Sequence, residues 1–221
     1  MQRVFSRIRG DSKEEFRRII LIRADFHMHT TYSEDSFISP RTLVENLVMH
    51  PTIKVAAVTD HDSVDGIKPV QELASAYPDI LIIPGVEITT TLGDIVILGT
   101  DQLPPRPWTV ENVVNFARAN DCVSVAAHPF RELGMGEYAR NSGVDAIEVL
   151  NGKSLYSVNK QAYELAKSAG LPGVAGSDAH KPSELYAVYT EIDASLNIDD
   201  ILAAIKKGKV SVSLSSKSIR F

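Results

Sequence analysis

Five of the six histidines in this 221-residue chain stand at the ends of short apolar runs. His27 and His29 follow Ala24-Asp25-Phe26, His61 follows Val55–Asp60, His128 follows Val123–Ala127, and His180 follows Val174–Asp178. Carboxylates keep the same company. Asp60 precedes His61, Asp178 lies two residues before His180, and Glu87 closes the run IIPGVE. On an extended segment the side chains at i and i+2 point the same way, so His27 and His29 can face one ion together, and so can Asp178 and His180. Neutral imidazole and carboxylate suit Zn, Mn or Fe. Each short motif alone has a structural reading as a hydrogen bond or a turn, but five of six histidines at strand ends do not arise by accident. Arg131, three residues past His128, is a candidate for binding an anionic substrate, because a guanidinium matches planar oxyanions bidentately; a surface salt bridge is the competing reading. Lys153 and Arg140 are weaker candidates. Glu148 and Asn151, at another strand end, are expected to support the site. His50, after a helix, is assigned no function, and Cys122 reads as structural.

The elements that would position these groups alternate. Strands are expected at Ala24–His27, Val55–Thr59, Leu81–Ile83, Ile95–Leu98, Val123–Ala126, Ile147–Leu150, Val174–Ala175, Val188–Ile192 and Val210–Leu214, all short and rich in Val, Ile or Ala as buried strands are. Helices are expected at Pro40–Met49 behind the cap Ser39, at Gly66–Ala76, at Thr109–Asn120, at Tyr156–Ala169 before Gly170, and at Ile198–Lys207 before Gly208. Glu87–Thr91 and Asp94–Leu98 around Leu92-Gly93 read as a hairpin. Strand–helix alternation implies a largely parallel sheet covered by helices, and such sheets gather their sites at the C-terminal strand ends. No linker divides the chain, so one domain is expected over residues 23–221, preceded by a charged N-terminal extension over residues 1–22.

Composition bounds the function. The net charge is −5, from 23 basic and 28 acidic residues. That disfavours a nonspecific binder of nucleic acid or anionic membrane. No apolar run reaches the roughly 18 residues that span a bilayer, and the first residues are charged where a signal peptide is apolar. A single cysteine rules out a disulfide framework or a cysteine zinc site within one chain and points to a reducing, cytoplasmic setting. There is no Gly-x-Ser-x-Gly elbow and no phosphate-binding P-loop.

In order, DFHMHTTYSED, TDHDS, PGVEITT, AAHPFR and GSDAH resemble the motifs of the PHP (polymerase and histidinol phosphatase) family, over about Asp25 to His180. The resemblance implies a distorted (βα)7 barrel of the PHP type, an α/β fold, with a di- or trinuclear site at the C-terminal strand ends. It implies that His27, His29, Glu87 and Asp178 hold one metal, that Glu87 bridges to a second also bound by His128, and that Asp35, His61 and His180 hold a third. Asp60 would orient His61 from behind. One position departs from the pattern. Where members carry a further histidine on the hairpin, GDIVILG offers Asp94 in one alignment and Val96 in another.

The function expected is that of a metal-dependent phosphoesterase. It would use two or three divalent ions (Zn, Mn or Fe) and a metal-activated hydroxide to hydrolyse a small phosphomonoester, nucleotide or short oligonucleotide. The catalytic set is His27, His29, His61, Glu87, His128, Asp178 and His180; the metal set adds Asp35 and Asp94. A small anionic phosphate ester is the expected partner, rather than a membrane or a long nucleic acid. Two rivals stay open: an amidohydrolase acting on C–N bonds, and a non-catalytic binding module on the same fold. The metal identity, the substrate and the oligomeric state are not legible in the sequence.

Overall fold

The computed structural model describes residues 21–215. Fourteen helices and strands follow one another in the order β1 (Ile22–Asp25), α1 (Pro40–Met49), β2 (Val55–Val58), α2 (Ile67–Ala74), β3 (Leu81–Thr90), β4 (Gly93–Leu98), α3 (Val110–Ala119), β5 (Val123–Ala126), β6 (Ala146–Asn151), α4 (Tyr156–Ala169), β7 (Gly173–Gly176), β8 (Val188–Ile192), α5 (Ile198–Lys206) and β9 (Val210–Leu214). Short 3-10 turns lie at Gly136–Asn141 and Pro182–Glu184. The expected N-terminal extension lies outside the described residues except at its end, where Ile22 already belongs to β1. Among the described residues no helix is long and apolar enough to cross a membrane.

The nine strands form one sheet in the order β7-β6-β5-β4-β3-β2-β1-β8-β9. The β1–β2–β3 and β5–β6–β7 pairs are parallel; β3–β4–β5 and β1–β8–β9 are antiparallel. The sheet nearly closes on itself just beyond β1 and β7. There Phe26 N–H donates to Ala175 O (3.3 Å), Asp178 N–H to His27 O (2.7 Å) and His29 N–H to Ala179 O (3.0 Å), and Met28 pairs with Ala179 in parallel. Strands β1 to β7 therefore ring the mouth that carries His27, His29 and Asp178. The distorted α/β barrel that the resemblance implies is present as a nearly closed sheet of nine strands. A hairpin joins β3 to β4, and a 3-10 turn stands between β5 and β6.

Period-2 alternation sorts the side chains. Val55 and Ala57 of β2 point into the barrel with Ile83, Val96, Val125 and Val174, and α5 closes the far end with Ile201, Leu202 and Ile205. Ala56 and Val58 point outward under α1 and α2, while Ile88, Ile95 and Ile147 point outward under α3 and α4. Caps fix the helix starts: Ser39 and Thr109 accept from Thr42 and Asn112 N–H.

The expected strand Leu81–Ile83 and the first hairpin strand are one continuous element, β3, although Pro84-Gly85 reads as a break. Pro84 stands where the parallel partner β2 ends and the antiparallel partner β4 begins, so its missing N–H interrupts neither ladder. Gly85 is required beside it, because a Cβ there would come within 2.7 Å of Ile97 O. This continuity carries Glu87 from the barrel wall to its mouth.

Candidate metal centre

Every ligand candidate expected from the sequence lies at this mouth. His27 and His29 occupy the extension of β1, Glu87 the upper part of β3, Asp94 the start of β4, His128 the turn after β5, and Asp178 and His180 the segment after β7. His61 pairs with Glu87 through an isolated parallel bridge. Glu87 is the hub. Its Oε2 lies 3.1 Å from His27 Nε2, 3.3 Å from His29 Nε2 and 3.0 Å from His61 Nδ1; its Oε1 lies 3.0 Å from His128 Nε2. Asp178 Oδ1 faces His29 Nε2 at 3.5 Å and His27 Nε2 at 3.8 Å. Exposed Asp35 reaches His180 Nε2 at 3.0 Å and His61 Nε2 at 3.8 Å.

Three groups of donor atoms are close enough to share an ion: His27, His29 and Asp178; His27, Glu87 and His128; and His29, His61 and His180. Their chemistry fits a divalent metal. His27 Nε2, His29 Nε2 and Glu87 Oε2 are buried with no hydrogen-bond partner, although all three converge. Buried polar atoms are almost always paired, and a cation is the partner this mixture of lone pairs accepts. The i, i+2 expectation holds for His27 and His29. Asp178 and His180 appear in different three-member groups, yet Asp178 Oδ1 lies 3.5 Å from His180 Nδ1, so these two also face one another; Asp178 is left-handed (φ 53°). His128 is left-handed too, at φ 25°. Strained backbone of this kind persists where the surroundings over-determine it.

Asp94 faces the cluster. It is 1% exposed, its Oδ2 lies 3.9 Å from His128 Nε2 and its Oδ1 has no hydrogen-bond partner. Val96, two residues along the same face, lies deeper among the apolar residues of the barrel.

Glu148 and Asn151 support the ring of ligands. Glu148 Oε1 holds His27 Nδ1 at 3.0 Å, while its Oε2 accepts from His128 N–H at 2.7 Å and Asn151 Nδ2 at 3.1 Å. Asn151 Nδ2 also reaches Asp178 Oδ2 at 3.3 Å. Gly176 makes room, since a Cβ there would collide with His27 and Glu148. Asp60 acts on His61 indirectly, through Ser33. It accepts from Thr30 N–H and Oγ1 and from Ser33 Oγ, fixing the loop after His29, and His61 is held by its backbone N–H donating to Ser33 Oγ at 2.9 Å. Asp25 was not anticipated. Fully buried, it accepts from Ser177 N–H at 2.8 Å and so ties the two chain segments that bear the ligands. Its place inside an apolar strand, two residues before His27, is the sequence signal that marks it.

The cations divide. Arg131 Nη1 donates to Asp178 Oδ2 and to Asn151 Oδ1, so it belongs to the site. Lys153 also belongs there, with Nζ 3.1 Å from His180 Nδ1. Arg140 pairs with Glu137 on the 3-10 turn instead. His50 accepts from Ile53 N–H and packs edge-on to Tyr186; Cys122 is buried in the outer core.

Burial and mutual charge set the protonation. Burial raises Glu87, but the imidazoles of His27, His128 and His61 outweigh it and hold the carboxyl well below its usual range. Burial likewise opposes Asp178, whose imidazole neighbours depress it. For His27, burial lowers the value, and Glu87, Glu148 and Asp178 together raise it well above normal. His29 goes the other way: burial takes it down to about 4, which leaves its ring neutral. Burial, reinforced by Glu87, raises Asp94 to about 6.

Residues 157–210 match a family model described as PHP-associated. The fold matches a two-domain protein from Bacteroides vulgatus that contains a predicted PHP-like metal-dependent phosphoesterase (TM-score 0.76, 18% identity, 88% of this chain). The chain thus carries a PHP-associated segment and shares its fold with PHP-like proteins. It spans 65% of the two-domain protein's length. Other likenesses are broader. Endonuclease Q, in complex with a 27-mer duplex bearing an abasic lesion at the active site, shares the fold (TM-score 0.63, 13% identity, 85% of this chain and 57% of that one). An uncharacterized protein of Methanocaldococcus jannaschii is 26% identical over 142 residues, which are 59% of this chain and 82% of that protein.

Proposed function

We propose that this chain is a metal-dependent phosphoesterase that cleaves a small phosphate ester at a di- or trinuclear site, formed by residues 23–221 acting as one catalytic unit in the cytoplasm. The observation that carries the reading is the convergence of unpartnered His27 Nε2 and His29 Nε2 on Glu87 Oε2, with Asp178 Oδ1 alongside. His27, His29 and Asp178 would hold one ion, Glu87 and His128 with His27 a second, and His61, His180 and Asp35 with His29 a third. Bound ions would acidify a water and neutralise phosphoryl charge.

The chain's own groups do the rest. Glu148 receives the Nδ1 proton of His27 and so fixes which nitrogen faces the centre. Arg131 and Lys153 stand at the mouth as donors for phosphoryl oxygens, and Arg131 would exchange part of its contact with Asp178 for substrate. No lysine reaches the buried cage of His27, His29, Glu87 and Asp178 among the described contacts, which favours ester over C–N hydrolysis.

Purified protein loaded with Mn or Zn should turn over aryl and nucleotide phosphate esters. A fully loaded site with no turnover on any ester would refute the reading and favour a binding module. Nuclease action is the second reading, favoured by the fold shared with endonuclease Q. Its mark would be oligonucleotide cleavage with a steep salt dependence, which the net charge of −5 argues against.

A further inference from the structure

The mouth of the site is apolar at its rim. Eight large apolar side chains are more than half exposed among the described residues, and five of them lie at this one end of the barrel: Phe37, Leu92 and Leu133 on loops, and Leu155 and Tyr156 at the start of α4. Scattered exposure of this sort needs no explanation, but concentration beside a polar site does. Three of these segments are tied to the site. Phe37 N–H donates to His180 O at 2.8 Å, and Leu133 O accepts from Asp94 N–H at 2.8 Å. Leu155 and Tyr156 follow Lys153, whose Nζ meets His180.

Two of these residues break local rules. Leu155 occupies the N-cap of α4 with no side-chain acceptor to offer, where Ser or Asp would serve the helix. Leu133 is left-handed at φ 62°, a conformation that disfavours a branched side chain. Tyr156, at the first turn of α4, is 83% exposed, and Phe37 is 71% exposed. Sequences depart from local preference chiefly where function demands it.

We infer that the substrate is a phosphate ester of a flat aromatic group, with its phosphoryl end between Arg131 and Lys153 and its ring against Phe37 and Tyr156. The inference rests on the phosphoesterase reading for the fate of the ester and on the rim alone for its shape. The cations match the anionic end, and the aromatic side chains match a planar apolar one. The edge of Leu133 and Leu155 would exclude water from the ring's far side.

The test uses the full metal-loaded chain and two non-hydrolysable probes, phenylphosphonate and methylphosphonate, with binding measured by calorimetry. Phenylphosphonate should bind about tenfold more tightly, as expected for one ring buried against aromatic side chains. In the double variant Phe37→Ser, Tyr156→Ser that advantage should fall to about twofold or less. The control Tyr163→Ser, on an exposed turn of α4 away from the mouth, should keep it. Equal binding of the two probes to the parent protein, or an undiminished preference in the double variant, overturns the inference. So does a double variant that dissociates an oligomer in sedimentation, since the rim would then be a contact between copies. Phenyl and ethyl phosphate turnover separates the two claims. Preference for phenylphosphonate without turnover of either ester removes the phosphoesterase reading alone; turnover of both without aromatic preference removes the inference alone.

Discussion

His27 Nδ1 lies 3.0 Å from Glu148 Oε1, and this contact leaves Nε2 of the same ring aimed, without a hydrogen bond, at Glu87 Oε2. One carboxylate thus holds the ring so that its other nitrogen faces the second carboxylate. Glu148→Gln keeps the shape and removes the charge. Metal affinity should fall about 10- to 100-fold, the usual cost of losing such a partner. Competition against a chelator of known affinity measures it, and an unchanged dissociation constant would show that Glu148 merely fills space.

His27 also belongs to two of the three donor groups. His27→Ala should therefore lower bound metal by more than one equivalent and reduce turnover in parallel. Elemental analysis of the purified variant decides this. Full metal stoichiometry would remove His27 from the ligand set.

Metal stabilisation should depend on pH in a defined direction. In the metal-free protein His27, His61 and His128 have values raised by the carboxylates around them, after burial has opposed the rise. A raised histidine stabilises the fold fully below its unfolded value of about 6.5 and loses that contribution as pH climbs through the folded one. Bound metal replaces those protons. The rise in melting temperature on adding Mn should accordingly be larger at alkaline than at mildly acidic pH. Equal shifts at both would mean that the imidazoles do not exchange protons for metal.

Arg131→Lys keeps a cation but loses the planar fork. The KM for a phosphate ester should rise about tenfold, as for the loss of one charge-assisted hydrogen bond. Metal content should be unchanged. A fall in metal content with KM preserved would place Arg131 as a support of Asp178 only.

Gly176→Ala tests the packing behind the site. A Cβ there collides with His27 and Glu148, so urea denaturation should show a loss of about 2 kcal/mol or more. A neutral effect would mean that β7 and the extension of β1 can separate without cost.

Much of this was legible in the sequence, because burial leaves a strong local signature. Short runs such as VAAV and VSVA announce strands buried on both faces, and Ser39-Pro40 and Gly170 bound their helices. A histidine after each of several such runs was enough to gather the candidate ligands at one end of the sheet, because strand polarity alone brings those ends together. Tertiary structure decided what depends on chain pairs far apart in sequence. The closure of β1 onto β7 brings Asp178 to His27 and His29 across about 150 residues. The hairpin register turns Asp94 toward His128. Asp178 and His180 lie 3.5 Å apart yet appear in different three-member groups, and Asp60 reaches His61 through Ser33. Residue type and spacing determine what chemistry a segment can offer; only packing, which acts between segments, determines which donor atoms share an ion.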